Sequence, residues 1–317
     1  MKSRTGKRNI AIALIGLAAI PSLAEAKIKR TFEETIDLSG ISNVRVTVYE
    51  GHISAFGENR EEADLSIKQI FKVSSESEAT ELEESVEKTI RKEGNTLYIE
   101  VESDYEPGWF RRAFGNSDPI DLDIIILLPR EMNINLDTAG GHVSAQDFTG
   151  DVSLETSGGH IEAEDIIGNL MADTSGGHVT VRDVDGQVDV KTSGGHITAR
   201  NITGDTRLKT SGGHIKASMI EGHIDAKTSG GSIDASLPNG IERETTLRTS
   251  GGNVSVDLPK GARFTIDAST SAGRASSDFN VPVKHRIPGG KINGDVNGGG
   301  PILRLKTSGG NVSVNKI

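Results

Sequence analysis

Residues 156–173 read TSGGHIEAEDIIGNLMAD, and residues 174–191 read TSGGHVTVRDVDGQVDVK. The two stretches align without a gap over 18 positions. The Thr-Ser/Ala-Gly-Gly motif begins at Thr138, Thr156, Thr174, Thr192, Thr210 and Thr228, always 18 residues apart. It recurs at Thr249 and, as TSAG, at Thr270 after two intervals of 21, and returns at Thr307. A fixed period of this kind marks stacked repeats.

Each unit has two halves, and both alternate apolar with polar residues, which is strand periodicity. Val143 and Ala145 share one side of the first half, and Val152, Leu154 and Thr156 share one side of the second. Later copies keep the pattern with Ile161 and Ala163, Val179 and Val181, Ile197 and Ala199, and Ile215 and Ala217. Phe148, Ile166, Val184, Ile202 and Ile220 form a further apolar column. Gly150, Gly168, Gly186, Gly204 and Gly222 stay in register where the chain must turn, and each supplies a φ that other residues adopt only with strain. The paired glycines Gly140 and Gly141, Gly158 and Gly159, Gly176 and Gly177, Gly194 and Gly195, and Gly212 and Gly213 read as structural turns of the opposite corner.

Two short strands cannot bury an apolar face alone, but stacked units can. The expected fold is all-β: a right-handed parallel β-solenoid (β-helix) of about 18-residue coils, with strands about 4.8 Å apart. An antiparallel sandwich is the alternative, but only stacking explains identical residues in one column.

The columns hold the candidate chemistry. His142, His160, His178, His196 and His214 share one repeat position beside an inward Val or Ile, so they should point outward as a ladder. Such a row suits ligand binding, metal capture or a coupled response to pH. A linear row offers at most two ligands per ion, and the column continues as Ser232, Asn253 and Asn311, so the solenoid does not need histidine. Asp147, Asp165 and Asp183, followed by Asn201, form an acidic column before the inner turn and complete the metal-ligand candidates. The threonine column reads as inward and structural. No catalytic residue is assigned: no Ser/His/Asp set, P-loop or dinucleotide fingerprint stands out.

Composition narrows the field. The 317 residues carry 35 Lys+Arg and 45 Asp+Glu, a net charge of −10, with no cysteine and only 4% aromatics. Thiolate chemistry and disulfides are excluded, and an acidic, aromatic-poor chain is a poor binder of nucleic acid. Nothing calls for a cofactor.

The first residues read as an export address. Lys2, Arg4, Lys7 and Arg8 precede the apolar run Ile10 to Ile20, and Ala24-Glu25-Ala26 has the form of a cleavage site. The run is too short to span a bilayer, which needs about 20 residues. The expected division is a signal peptide at 1–26, an N-terminal lead-in and capping region at 27–137, and the solenoid repeats at 138–317. The mature protein is expected outside the cytoplasm, in the periplasm or at the cell surface or secreted, with no transmembrane span.

In the lead-in region, GHISA at Gly51 to Ala55 is a diverged half-repeat where the chain enters the solenoid. Ser75 to Lys92 reads as one helix, with Ala79, Leu82, Val86 and Ile90 in a stripe and Gly94 as its stop, packed as a cap. Leu97 to Val101 and Ile120 to Leu128 read as strands. Between them, Trp109, Phe110, Arg111 and Arg112 concentrate aromatic and basic side chains, either as a contact loop for a partner, glycan or membrane surface or as a cover for the solenoid edge. Ser276 to Gly300 should loop out of a coil before Ile302 to Thr307 and Asn311 to Val314 close the rod.

The exported N-terminus, the G-x-I-x-A element at Gly51 to Ala55 and the TSGG-x-[IV]-x-[AV] units resemble the bacterial putative-adhesin family of exported β-strand-repeat proteins, a domain of unknown function. The resemblance implies a β-solenoid at the cell envelope with an adhesin-like role, and it carries no catalytic residue. The leading expectation is a non-enzymatic envelope scaffold that binds a cell-envelope or extracellular protein or glycan, with end-to-end self-association if its caps fail. A polysaccharide-acting β-helix enzyme and a metal- or pH-responsive histidine-ladder protein remain as alternatives.

Overall fold

A computed structural model describes residues 27–104, 119–285 and 288–317. Strands dominate and form two long sheets of 13 and 14 strands. Each repeat contributes one strand to each sheet. Val152–Thr156 lies in the larger sheet and Ile161–Ile167 in the smaller, and the next coil repeats this with Leu170–Thr174 and Val179–Asp185. Pairing is parallel with a register step of one repeat: Val152 faces Leu170, Leu154 faces Ala172 and Thr156 faces Thr174. The molecule is the expected parallel β-solenoid, and strands from 27–137 and 138–317 share the same two sheets.

The core is thin and aliphatic because each short strand sends only two or three side chains inward. Ile161, Ala163 and Ile166 are each at most 1% exposed, as are Val179 and Val181. Asp165 has no cross-strand partner, and the pairing passes from Glu164 to Ile166. It is an inserted bulge residue with φ 56°, as are Asp147 at 66° and Asp183 at 54°. That extra residue turns Ile166 inward and explains why its column sits three positions, not two, after Ala163.

The two glycine sets do different work. Gly150, Gly168, Gly186, Gly204 and Gly222 adopt φ between 131° and 155°, as expected. The second glycine of each TSGG is required by close approach instead: a Cβ on Gly159 would lie 1.8 Å from the Gly141 carbonyl oxygen in the coil before. The first glycine is looser, since a Cβ on Gly158 would meet the Gly140 oxygen at 3.6 Å.

The order of coils along the rod departs from chain order at both ends. The coil of Asn43–Val48 and His52–Glu58 lies between the coil of Thr96–Ser103 with Ile120–Pro129 and that of Asn133–Thr138 with Val143–Thr149. At the other end, Ile302–Thr307 and Val312–Lys316 do not close the rod. They are inserted between the coil of Thr245–Arg248 and Val254–Leu258 and the coil of Phe264–Thr270 and Ala275–Ser277. The segment expected to loop out contains Gly290–Val296, which pairs antiparallel with Phe264–Thr270.

The expected long helix is also corrected. It spans only Glu76–Glu84, capped by the Ser75 side chain, which accepts the Glu78 N–H at 3.3 Å. Val86–Glu93 is a strand paired antiparallel with Thr96–Ser103, and Gly94, at φ 61°, belongs to the hairpin turn between them. The alternation of Val86, Lys88 and Ile90 fits an edge strand, and the open edge of Thr96–Ser103 supplied the partner. The short helix joins Glu62–Phe71, the second strand of the smaller sheet, to Val86–Glu93, the end strand of the larger, and buries Ala79 and Leu82, as a cap does.

Candidate functional site

The Gly-Gly corner is built from two columns. The threonines are inward, with Thr156 and Thr174 at 2% and 1% exposure. Thr156 Oγ1 donates to the Gly141 carbonyl of the preceding coil at 2.9 Å and accepts the Gly159 N–H at 3.2 Å. Thr174 repeats both bonds one coil on. Each hydroxyl thus ties one coil to the next and fixes its own turn.

The histidines point outward, as expected. Neighbouring rings stack with centroids 4.8–5.0 Å apart and planes within 20° of parallel. The stack has a sixth member that the sequence reading left out: His52 lies 4.8 Å from His142. The signal was present in GHISA, but 90 residues separate the two rings along the chain.

Each ring accepts a backbone hydrogen bond from the next coil. The His160 N–H donates to His142 Nδ1 at 2.9 Å, His178 to His160 at 2.7 Å, and His196 to His178 at 2.8 Å. Beyond the last imidazole, Ser232 Oγ accepts from Asn253 N–H at 3.0 Å, and Asn253 Oδ1 accepts from Asn311 N–H at 2.8 Å. The column therefore needs an acceptor, and histidine, serine and asparagine all supply one. An accepting Nδ1 places the proton on Nε2, so the exposed edge is a row of N–H donors. Burial in the stack, then the like charge of neighbouring rings, holds His142 and His196 below the usual histidine range.

The acidic column is elsewhere. His160 and Asp165 sit near opposite ends of Ile161–Ile167 and are not brought together. Asp147 pairs with Arg130 at 3.2 Å, and Asp183 accepts a bond from Asn201 Nδ2. Among the described residues, no three His, Asp or Glu side chains converge as a metal site. Rings about 4.8 Å apart cannot share an ion through bonds of about 2.0 Å unless the stack opens. Trp109, Phe110, Arg111 and Arg112 lie outside the described residues, as does the export segment.

The larger sheet carries a feature that sequence reading did not isolate. A groove of about 800 Å³ crosses it, with Tyr98, Asn133, Asp151, Asn169, Met171 and Arg207 among its lining. Asn and Asp side chains one repeat apart build one wall by the same acceptor device: Asn133 Oδ1 accepts the Asp151 N–H at 2.8 Å, and Asp151 Oδ1 the Asn169 N–H at 3.2 Å. The recurring Asn/Asp at that position was the available signal.

Fold and columns together define a two-sheet β-solenoid whose outward side chains stand in ordered rows. The chain belongs to the Toastrack DUF4097 family, whose description matches residues 57–315. The resemblance read from the TSGG units is borne out. Among solved structures, a "putative adhesin" from Bacteroides fragilis NCTC 9343 shares 13% identity over 93% of this chain and 98% of its own, with a TM-score of 0.42. A "putative lipid binding protein" from Parabacteroides distasonis ATCC 8503 shares 15% identity over 91% and 96%, also with a TM-score of 0.42. No curated protein matches the chain. No helix among the described residues is long and apolar enough to cross a membrane.

Proposed function

We propose that the protein is a non-enzymatic, adhesin-like binding scaffold of the cell envelope, exported by a cleaved signal peptide to the periplasm or cell surface. The observation that carries this reading is the histidine edge. Six imidazoles stand in one row, each fixed by a backbone bond to Nδ1, with Nε2–H turned outward. Donors held in place before a ligand arrives lose little entropy on binding. The spacing suits an extended envelope glycan or protein that offers acceptors at regular intervals. The Trp109 to Arg112 segment is proposed as an additional contact.

Co-sedimentation of the purified mature protein with isolated cell envelopes tests this, alongside fractionation of cells that make a tagged copy. A His160→Asn, His178→Asn variant keeps the acceptor that Asn253 and Asn311 use, so its fold should survive. Binding by the wild type that falls at least about 5-fold in the variant, or roughly 1 kcal/mol, supports the reading. No co-sedimentation, equal binding by the variant or a cytoplasmic location overturns it.

A further inference from the structure

The outward face of the larger sheet carries a charge order that the histidine edge does not use. In Val152–Thr156, Glu155 projects between buried Leu154 and Thr156. The register stacks it in one column running through ten adjacent strands. The first five positions are Glu100, Thr47, Asp137, Glu155 and Asp173. The next five are Lys191, Lys209, Lys227, Arg248 and Lys306. Four of the first five are acidic and all of the next five basic, and the sign changes once, between Asp173 and Lys191.

The rod's own stability does not account for this. Like charges stacked about 5 Å apart on neighbouring strands repel, and alternating signs would serve folding better. Neighbours within the chain answer only part of it. Lys191 leans towards Asp189 at 3.6 Å and Lys227 pairs with Asp225 at 2.7 Å. Among the described residues, Asp137, Glu155, Asp173, Lys209, Arg248 and Lys306 form no ion pair.

The geometry points to a second copy of this chain as the partner of this face, packed with its axis reversed. The two-fold axis lies in the interface, parallel to the strands, midway between the coils of Asp173 and Lys191. Each position then meets its mirror position in the other copy. Asp173 meets Lys191 of the second copy, Glu155 meets its Lys209, Asp137 its Lys227 and Glu100 its Lys306, each pair occurring twice. The parallel outward column obeys the same operation without a like-charge contact: Ser153 faces Arg207, Asn135 faces Asp225 and Tyr98 faces Arg304. Met171, a large apolar side chain left 52% exposed, falls beside the axis, opposite Asp189 of the second copy.

Ten strands about 4.8 Å apart and about 16 Å long give roughly 750 Å² per copy, or about 1,500 Å² in total, which is the size of a specific interface. A linear polyanion on the basic half is the competing occupant. It leaves the acidic half unexplained and must approach a chain of net charge −10. This inference does not rest on the histidine-edge reading, because the stacked rings lie beyond the Gly-Gly corner and stay open in the pair.

Sedimentation velocity on residues 27–317 tests it, at about 0.15 M and about 1 M salt. The expected result is a dimer that weakens in high salt. Glu155→Lys and Lys209→Glu should each raise the dissociation constant by about 10-fold or more, since each places like charges together twice. The double variant should restore dimerisation, because the two positions face each other only across copies: within one chain they are three coils apart. Circular dichroism and melting confirm that each variant is folded. A monomeric wild type at low salt, a double variant no better than the singles, or filaments indifferent to both substitutions overturns the inference. So does a monomer that binds heparin, used as the polyanion probe, and loses that binding in Lys209→Glu.

Discussion

Gly159 and Gly158 are neighbours with opposite tolerance. A methyl group on Gly159 would press into the Gly141 carbonyl, and backbone cannot swing aside as a side-chain tip can. Gly159→Ala should cost more than about 3 kcal/mol and lower the melting temperature by at least about 6 °C. Gly158→Ala, with ordinary contact distance available, should stay within about 0.5 kcal/mol. Paired thermal melts check both. Met219 is the reverse case. It occupies the bulge position held by Asp147, Asp165, Asp183 and Asn201, at φ 52°, without their side-chain compatibility with left-handed backbone. Met219→Asn should raise stability by about 0.5–1 kcal/mol, read from a urea unfolding midpoint.

At the scale of elements, the repeat strands were legible because alternation and column identity gave the same answer. Inward Thr156, outward His160 and the turn at Gly168 all follow from period two plus an 18-residue step. The flanking elements were not legible, for a physical reason. Val86 and Ile90 satisfy a helical stripe and a strand alternation alike, and only the waiting edge of Thr96–Ser103 decides between them. The placement of Ile302–Thr307 was hidden similarly: Leu247 pairs with Leu305, a contact spanning most of the C-terminal region. Because this coil is internal to the stack, a chain ending at Gly299 should lose more than the missing strands. Hydrogen exchange should show amides of Phe264–Thr270 and Ala275–Ser277 losing protection in the truncated protein. Protection unchanged there would mean that the outer coil holds without its neighbour.

Across the whole molecule, the histidine row links six coils through groups that must be neutral to accept. A proton on Nδ1 would set N–H against N–H and add charge beside charged neighbours. His142 and His196 are held below the ordinary value, so on acidification the unfolded chain takes protons first and stability falls. Denaturant midpoints should therefore be level above about pH 7.5 and decline as pH drops through about 6.5. A His142→Asn, His196→Asn variant should show a smaller decline over that window. An identical decline would place the acid sensitivity elsewhere. The site itself was only partly readable from the sequence. The ring positions were clear, but the Nδ1 bonds, His52 and the divided charge column needed the register of strands far apart in the chain.

The inter-coil side-chain bonds at the corner share a direction. The later turn donates N–H to a side chain of the earlier one, and its threonine hydroxyl reaches back to the earlier carbonyl. A completed turn is thus a mould for the turn that follows, and building outward proceeds with the order of synthesis. Among the described residues the rule reverses where Arg274 N–H donates to Asn311 Oδ1 and Thr270 donates to the Gly310 carbonyl. There the growing chain must wait for residues not yet made, so the repeat coils accumulate in the order of synthesis and this end is completed by a later closing step.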